Sequence, residues 1–451
     1  MKNIIFILST LFLSNIIIAQ TILPTTFDTD TFLTVSNSPY LVTSNPTINS
    51  GVTVQFEKGC TIMFNQGKAF NVLGTLKLIG EENDSITLIT NTGATSWGPI
   101  TTSSGHIIFN YTVLQNPRKI IAASHGVVKI NNSRISAVIG TIGEDGIAIH
   151  YADSVIITNT VLESDPDGGK IDGIDADGIS YANISNNLIR HWPDDGIDIG
   201  TNSSNVSLNN NIIYDTDFGI SVGESSIAYM ERNVIYDVHG GIQSHDGAVC
   251  TADHNTIFRA EKSLEVHHGS SGNSGGTLTI TNTIMNNAIY SDFTVQSNSV
   301  LNASYCISNT DTLPGNNNLF DDALFVDTLA YNFHLTQNSP AIDSGDPNYT
   351  GYFTGLYTDI GAYEYDSVSS IVNNISDDNR NISVYPNPTS NNLHITLKEN
   401  TSQNAQIIDL TGRVQMNFKV EDAESTIDIS NINIGVYFIK IGTETIKFIK
   451  K

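Results

Sequence analysis

The chain has 451 residues, enough for two or three domains, and 46 acidic against 21 basic residues give it a formal net charge of −25. So acidic a surface argues against nucleic acid and anionic membranes as partners. It suits a secreted protein, and its carboxylates are the oxygen ligands that calcium binds. Three cysteines, Cys60, Cys250 and Cys306, are too few and too scattered for a disulfide framework or a zinc site, so we expect buried thiols.

Residues 1–19 have the pattern of a signal peptide. Lys2 precedes an apolar run from Ile4 to Ile18, and Ala19 stands at a suitable cleavage point. The alternative is a membrane anchor, but this run is shorter than the about 20 apolar residues of a spanning helix. We therefore predict that residues 1–19 are removed and that no integral membrane segment remains after cleavage.

Residues 20–365 are predicted to form an all-β domain, a right-handed parallel β-helix. Between Gly173 and Glu265 a small residue followed by an aliphatic one recurs every 22 or 23 residues, with strand-forming and turn-forming residues between. Such a period marks a solenoid in which no single coil buries its own apolar face. The residues predicted to point inward are Ile174, Ile197, Ile220 and Ile242. The residues predicted to form an internal ladder of amides are Asn187, Asn211, Asn233 and Asn255.

Stacked coils align residues of equal offset, so one face of the helix gains two outward columns. The first column is Ala148, Asp175, Asp198, Ser221, Gln243 and Glu265. The second column is His150, Asp177, Gly200, Gly223, His245 and His267. The preceding turn adds Asp145, Asp172, Asp194, Asp195 and Lys262.

Carboxylates on adjacent rungs of this face are predicted to hold a divalent cation. Rungs lie about 4.8 Å apart, and two ionised carboxylates at that distance repel by about 3.5 kcal/mol at an effective dielectric of 20. Calcium fits because it accepts a loose cage of carboxylates. A proton shared between two carboxylates and an ordinary solvated acidic face are the alternatives.

Two of these coils resemble the calcium site of family-nine pectate lyases, through Ala176-Asp177-Gly178 and the segment from Asp194 to Asp198. The ligands that this resemblance implies are Asp177, Asp194, Asp195 and Asp198, with Asp175 beside them. In that family a lysine on the next coil removes the proton alpha to the uronate carboxyl. Here Ser221 occupies that position, so the resemblance implies the metal site more strongly than the reaction.

The same coils resemble polygalacturonases more loosely, through the segment Asp172 to Asp175 and the pair Asp194-Asp195. That resemblance implies inverting hydrolysis by two carboxyl groups about 6.5–9.5 Å apart. Phe218 stands where that family has a histidine.

A second group of candidate residues follows two or more coils later. The catalytic candidates are Lys262, Arg259, His245, His267 and Glu265. A histidine or Lys262 could serve as the base of a lyase, with Arg259 neutralising the uronate. A transition-metal site is one alternative because imidazoles one rung apart can converge, and a merely wet, polar surface is another.

Two segments, Ser339 to Gly345 and Asp359 to Glu364, resemble the closing segment of many bacterial β-helix proteins, and we expect them to cover the last rung.

Residues 366–380 are predicted to be a linker. Residues 381–451 contain Val384 to Pro388, Ile407 to Arg413 and Gly435 to Ile439. Alternating strands predict a small β-sandwich, and the motif order resembles the type A C-terminal sorting domain of the type IX secretion system of Bacteroidetes.

The expected function is that of a secreted or cell-surface protein acting on a polysaccharide. The sorting resemblance implies the type IX secretion machinery as a partner and export across the outer membrane. We expect a monomer, and if it is an enzyme, the favoured reaction is calcium-assisted β-elimination by a polysaccharide lyase. A non-catalytic glycan-binding or adhesive protein is the first alternative, and a glycoside hydrolase of the polygalacturonase type is the second.

Overall fold

The computed structural model describes residues 20–118, 120–123, 125–136, 145–164, 171–269, 274–365, 382–385, 389, 391–397, 403–409, 414–420, 424–433, 435–441 and 444–450. The predicted signal peptide, 1–19, and the predicted linker, 366–380, lie outside these residues. The chain divides into two compact units, and the division falls after Tyr365. No helix in the described ranges is long and apolar enough to cross a membrane.

The first unit is a parallel β-solenoid whose strands fall in turn into three long sheets, named here A, B and C. Sheet A contains β1 (Thr21–Ile22), β4 (Tyr40–Val42), β7 (Thr61–Phe64), β10 (Ile86–Thr90), β13 (Thr112–Gln115), β16 (Arg134–Ser136), β19 (Val161–Glu163), β22 (Leu188–Arg190), β25 (Ile212–Tyr214), β28 (Val234–Tyr236), β31 (Thr256–Phe258), β34 (Ile284–Asn286), β37 (Ile307–Ser308) and β38 (Leu319–Phe320).

Sheet B contains β2 (Thr26–Phe27), β5 (Thr47–Ile48), β8 (Phe70–Val72), β11 (Ile100–Thr102), β14 (Ile120–Ala123), β17 (Ile147–His150), β20 (Ile174–Asp177), β23 (Ile197–Gly200), β26 (Phe218–Val222), β29 (Gly240–His245), β32 (Lys262–His267) and β35 (Ser291–Val295). Sheet C contains β3 (Thr31–Leu33), β6 (Thr53–Phe56), β9 (Thr75–Ile79), β12 (His106–Asn110), β15 (Val127–Asn131), β18 (Ser154–Thr158), β21 (Ala182–Ser185), β24 (Val206–Asn209), β27 (Ile227–Glu231), β30 (Val249–Asp253), β33 (Thr277–Thr281) and β36 (Val300–Ser304). A short 3₁₀ helix (Val35–Asn37) interrupts the first coil.

Inward side chains stack from rung to rung, as the sequence period predicts. Ile174 pairs with Ile197, Ile197 with Ile220, and Ile220 with Ile242, and all four are fully buried. Because strand residues alternate in direction, the residues between them face outward or lie at intermediate exposure. The parallel β-helix and the inward register are therefore confirmed. Cys60, Cys250 and Cys306 are free and buried, as expected.

The predicted amide ladder is present at the turn between sheets C and A. The side-chain amide of Asn187 donates to Oδ1 of Asn211 at 3.0 Å, Asn211 to Asn233 at 3.0 Å, and Asn233 to Asn255 at 2.9 Å. Each amide also donates to a strand carbonyl, and each Oδ1 accepts the backbone N–H of the ladder residue one coil earlier. Hydroxyl residues extend the column at both ends. They are Ser133 and Thr160 before the asparagines and Thr283 after them.

The prediction that the two closing segments cover the last rung is wrong. They pack against the outer side of sheet A: Ala362 shares an apolar cluster with Val234, Tyr236 and Phe258, and Ala341 and Ile360 share one with Ile284 and Ile307. A short antiparallel pair, β39 (Phe325–Asp327) and β40 (Asn332–Leu335), belongs to the same layer. Leu313, in the loop after β37, joins the main core cluster.

The second unit is a small β-sandwich, as predicted. Its three-stranded sheet contains β41 (Ile382–Tyr385), β42 (Asn392–Leu397) and β45 (Glu424–Asp428). Its four-stranded sheet contains β43 (Gln403–Asp409), β44 (Val414–Val420), β46 (Gly435–Ile441) and β47 (Glu444–Lys450). Pairing is antiparallel, and Leu393, Ile407, Ile439 and Phe448 lie in one buried cluster that both sheets supply.

Candidate functional site

The outward side of sheet B, called the sheet-B face, carries the two predicted columns of side chains. Strand register aligns Ala148, Asp175, Asp198, Ser221, Gln243 and Glu265 in the first column. In the second column His150 pairs with Asp177, Asp177 with Gly200, and His245 with His267. The sequence therefore predicted the order of groups along this face correctly.

Three aspartates at the turn into sheet B bring their carboxylates together. One oxygen from each of Asp172, Asp194 and Asp195 lies within 4.8 Å of the other two. The backbone fixes two of them, because Oδ1 of Asp172 accepts the N–H of Asp195 at 2.8 Å, and Oδ1 of Asp195 accepts the N–H of Phe218 at 3.1 Å. These three residues are called the Asp172 group, and their spacing suits an oxygen-liganded divalent cation.

The Asp172 group sits where ionisation is unfavourable. Burial, followed by the nearby charges of Asp195 and Asp198, raises the pKa of Asp172 to about 9. Burial, followed by the charges of Asp198 and Asp194, raises the pKa of Asp195 to about 8. Burial also raises the pKa of Asp198 to about 6, although a hydrogen bond from Ser221 and the charge of His245 oppose the shift. Protons or a cation must therefore balance these carboxylates at neutral pH.

The four predicted calcium ligands do not come together in the structure. Asp194 and Asp195 join Asp172, which was not among the predicted ligands, whereas Asp177 lies with Asp175 and His150. The sequence signal for Asp172 was its place directly before Gly173, which matches the place of Asp195 before Gly196. Asp198 belongs to neither group of three ligand atoms.

His150 lies between Asp175 and Asp177 on the next rung. Its Nδ1 is 3.4 Å from Oδ2 of Asp177, and its Nε2 is 3.9 Å from Oδ2 of Asp175. Each nitrogen thus faces a different carboxylate. One ligand atom from each of His150, Asp175 and Asp177 also lies within 4.8 Å of the other two, so this trio is a second group with the spacing of metal ligands.

The predicted histidine pair is present further along the face. The rings of His245 and His267 are parallel within 7°, and their centroids are 5.3 Å apart. Nδ1 of His245 lies 3.1 Å from Oδ2 of Asp246, and Nε2 of His267 lies 3.0 Å from Oε1 of Gln243. Each imidazole is therefore held in a fixed orientation by a neighbouring acceptor.

The cationic candidates are engaged elsewhere. Nζ of Lys262 is 3.1 Å from both carboxylate oxygens of Glu265 on the same strand. Arg259 does not join the sheet-B face: its guanidinium forms a two-point ion pair with Asp237 and lies over the Phe258 ring. The sequence could not place it, because Arg259 follows β31 in a left-handed turn, with φ of 54°.

The β-helix and its sorting tail define a class of secreted proteins, and comparisons with known families agree. The model for a right-handed beta helix region matches residues 118–289, and that for a secretion system C-terminal sorting domain matches residues 383–451. The chain is a right-handed β-helix protein with a type IX sorting domain. That domain indicates secretion through the type IX system.

Three solved structures align with this chain at low identity. A pectate lyase, Pel9A, is 14% identical, with 70% of this chain and 89% of that chain covered and a TM-score of 0.39. The periplasmic alginate epimerase AlgG is 11% identical, with coverages of 61% and 82% and a TM-score of 0.37. A point variant of AlgG is 9% identical, with coverages of 62% and 84% and a TM-score of 0.44. A search of curated proteins finds no match.

Proposed function

We propose that this secreted β-helix protein acts on acidic polysaccharides through calcium held by the Asp172 group. The observation that carries the proposal is the convergence of the carboxylates of Asp172, Asp194 and Asp195 within 4.8 Å in a partly buried setting. Their raised pKa values support it, because a divalent cation removes the cost of ionising them together. Export places the protein outside the cell, released or attached to its surface, where calcium is abundant enough for weak sites.

The substrate class follows from the charge of the face. A chain of net charge −25 repels a polyanion unless a cation lies between the two. Calcium takes 6–8 oxygen ligands, and three aspartates leave coordination positions for the carboxylate of a uronate residue. A polar cleft of about 230 Å³ borders this turn and offers room for a sugar. Its lining residues are His191, Trp192, Pro193, Asp215, Thr216, Asp217 and His239.

A non-catalytic glycan-binding or adhesive protein is the second candidate. Ser221 at the expected base position favours it, and so does the pairing of Lys262, the candidate lysine, with Glu265. The hydrolase alternative has less support, because Phe218 occupies the position at which polygalacturonases have a histidine. Phe218 lies in β26, and its ring packs edge-on against His239. Calcium-dependent binding is common to the lyase and the binding protein, so it is the property to test first.

The test measures retention of the purified protein on immobilised polygalacturonate, with calcium or with chelator, and on a neutral glucan. We expect retention only on polygalacturonate with calcium. Asp172→Asn combined with Asp195→Asn should abolish retention and also the calcium-dependent rise in melting temperature. The matched control is Asp153→Asn, an exposed acid outside sheet B, which should behave as wild type. Equal retention with calcium and with chelator would refute the proposal.

A further inference from the structure

A histidine and two aspartates form a mixed group on two neighbouring strands of the sheet-B face. His150 is the last residue of β17, and Asp175 and Asp177 stand two positions apart on β20, so both aspartates point to the same side. One ligand atom of each residue lies within 4.8 Å of the other two. These three residues are called the His150 group. Their side chains are 39%, 18% and 31% exposed, so ions in solution can reach them.

Small residues in the two outward columns leave room for this group. Ala148 pairs with Asp175 on one side, and Gly200 pairs with Asp177 on the other. Oδ1 of Asp177 lies where a Cβ of Gly200 would be, and Oδ2 of the same carboxylate faces His150. Any side chain at position 200 would displace that carboxylate. Gly200 thus permits the orientation in which Asp177 directs an oxygen at the imidazole.

The spacing of the His150 group suits a shared metal ion better than a hydrogen bond. Nδ1 of His150 lies 3.4 Å from Oδ2 of Asp177, whereas a charge-assisted N–H···O bond measures about 2.7–2.9 Å. Two ligands of a tetrahedral zinc ion, each bonded at about 2.0–2.1 Å, lie about 3.4 Å from each other. A hydrogen-bonded pair looks different here: Nδ1 of His191 is 2.6 Å from Oδ2 of Asp215.

The donor atoms of the two groups select different metals. The Asp172 group offers oxygen atoms alone, which suit calcium. The His150 group adds an imidazole nitrogen, which suits zinc and other divalent transition metals. Its two carboxylates balance the charge of a divalent ion. Three protein ligands also leave one position of a tetrahedral ion open, as in catalytic zinc sites.

We propose that the His150 group binds one divalent transition metal of the zinc type. The ligands are one imidazole nitrogen of His150 and one carboxylate oxygen each from Asp175 and Asp177. The remaining coordination position faces outward on the sheet-B face, where it accepts water or an oxygen of an anionic ligand. The site uses other residues and another ion than the calcium site of the proposed function, so neither depends on the other.

The experiment titrates the full, untagged chain with Co²⁺ in excess calcium and follows the visible absorbance of four- or five-coordinate cobalt. We expect one Co²⁺ per chain, which zinc displaces. His150→Gln should weaken binding at least about 100-fold, since residues that only orient a ligand already contribute about 10–100-fold. Gly200→Ala keeps all three ligands but displaces the Asp177 carboxylate, so it should also weaken binding. His125→Gln is the matched control, because this exposed histidine has a single carboxylate, that of Asp153, at 3.6 Å.

The outcomes separate this site from the calcium site. Equal cobalt affinity in wild type and His150→Gln, at the same melting temperature in chelator, would overturn the proposal. Loss of cobalt binding in Asp172→Asn combined with Asp195→Asn, with binding retained in His150→Gln, would move the ion to the Asp172 group and overturn it as well. An unchanged calcium-dependent rise in melting temperature in His150→Gln, together with lost cobalt binding, would support two separate sites.

Discussion

The amide ladder allows a quantitative test of what stabilises the β-helix. In Asn211→Ala the change removes one acceptor and one donor group from a fully buried column. Oδ1 of Asn211 accepts the backbone N–H of Asn187 at 3.1 Å and its side-chain amide at 3.0 Å. Its own amide donates to the carbonyl of Ile184 at 2.9 Å and to Oδ1 of Asn233 at 3.0 Å. All four hydrogen bonds are lost together.

The magnitude follows from the donors left without a partner. The two donors of Asn187 lose their acceptor in a site closed to water, and each buried unsatisfied group costs about 1–3 kcal/mol. Oδ1 of Asn233 keeps one donor, the backbone N–H of Asn211, so it adds less. We therefore expect Asn211→Ala to lower the free energy of unfolding by about 2–6 kcal/mol. Asn211→Thr should cost less, because Thr160 and Thr283 accept a backbone N–H at equivalent positions.

The assay is urea unfolding followed by hydrogen exchange of the coils around Asn187. Exchange is needed because neighbouring coils of a solenoid can open separately. Asn183→Ala is the matched control, since Asn183 is a partly exposed asparagine on the outward side of β21, and surface changes usually stay within about 0.5 kcal/mol. A loss for Asn211→Ala no larger than that for Asn183→Ala would refute the ladder as a stabilising element.

Three further predictions concern the cation, the pH and export. Asp172→Asn should remove the calcium-dependent rise in melting temperature and Asp177→Asn should leave most of it; the reverse order, measured by calorimetry, would support the ligand set predicted from sequence. Without calcium, Asp172 and Asp195 keep protons that the unfolded chain releases near pH 4, so the melting temperature should fall as pH rises from about 4 through their pKa values of about 9 and 8. A flat profile in chelator would contradict those shifts, and Asp195→Asn should reduce the slope. Deleting residues 381–451 should leave the protein in the periplasm of a type IX-competent host, and immunoblots that find it in the medium would refute the sorting assignment.

The sequence predicted what depends on strand alternation and period. Ile197 is inward and Asp198 outward because successive strand residues point to opposite sides, and the 22- or 23-residue repeat fixes which residues meet on adjacent rungs. The same two rules placed Gln243 beside Glu265 and His245 beside His267. The direction of these residues and their pairing on adjacent rungs could be predicted without knowledge of side-chain conformation.

The candidate metal ligands needed that knowledge, and the ligand set predicted from sequence was therefore divided between two groups. Asp177 and Asp194 are both acidic, but Asp177, at the end of β20, leans over Gly200, while Asp194, before β23, has a carboxylate oxygen within 4.8 Å of one of Asp172. Spacing alone does not give the direction of a carboxylate. The backbone hydrogen bonds that fix Asp172 and Asp195 come from the next coil, so only the assembled helix shows them.

The position of the closing segments could have been predicted from three consecutive apolar residues in the sequence. Val234, Ile235 and Tyr236 are all buried, so β28 has no solvent side. An outward strand position that is apolar needs a covering layer, as in sheets packed on both faces. Such a run already indicates that the chain returns over sheet A rather than across the last rung.

A side chain on this solenoid can reach over the adjacent rung without any change of strand register. Side chains in one column are normally about 4.8 Å apart along the axis, so each side chain stays at the rung on which it starts. A glycine lets the adjacent side chain lean across, as His245 does over Gly223. The rung of Gly223 therefore also receives the imidazole of His245, which starts on the next rung. It follows that chemistry on a β-helix face must be judged from whole columns, because a single position shows only the side chain that starts there.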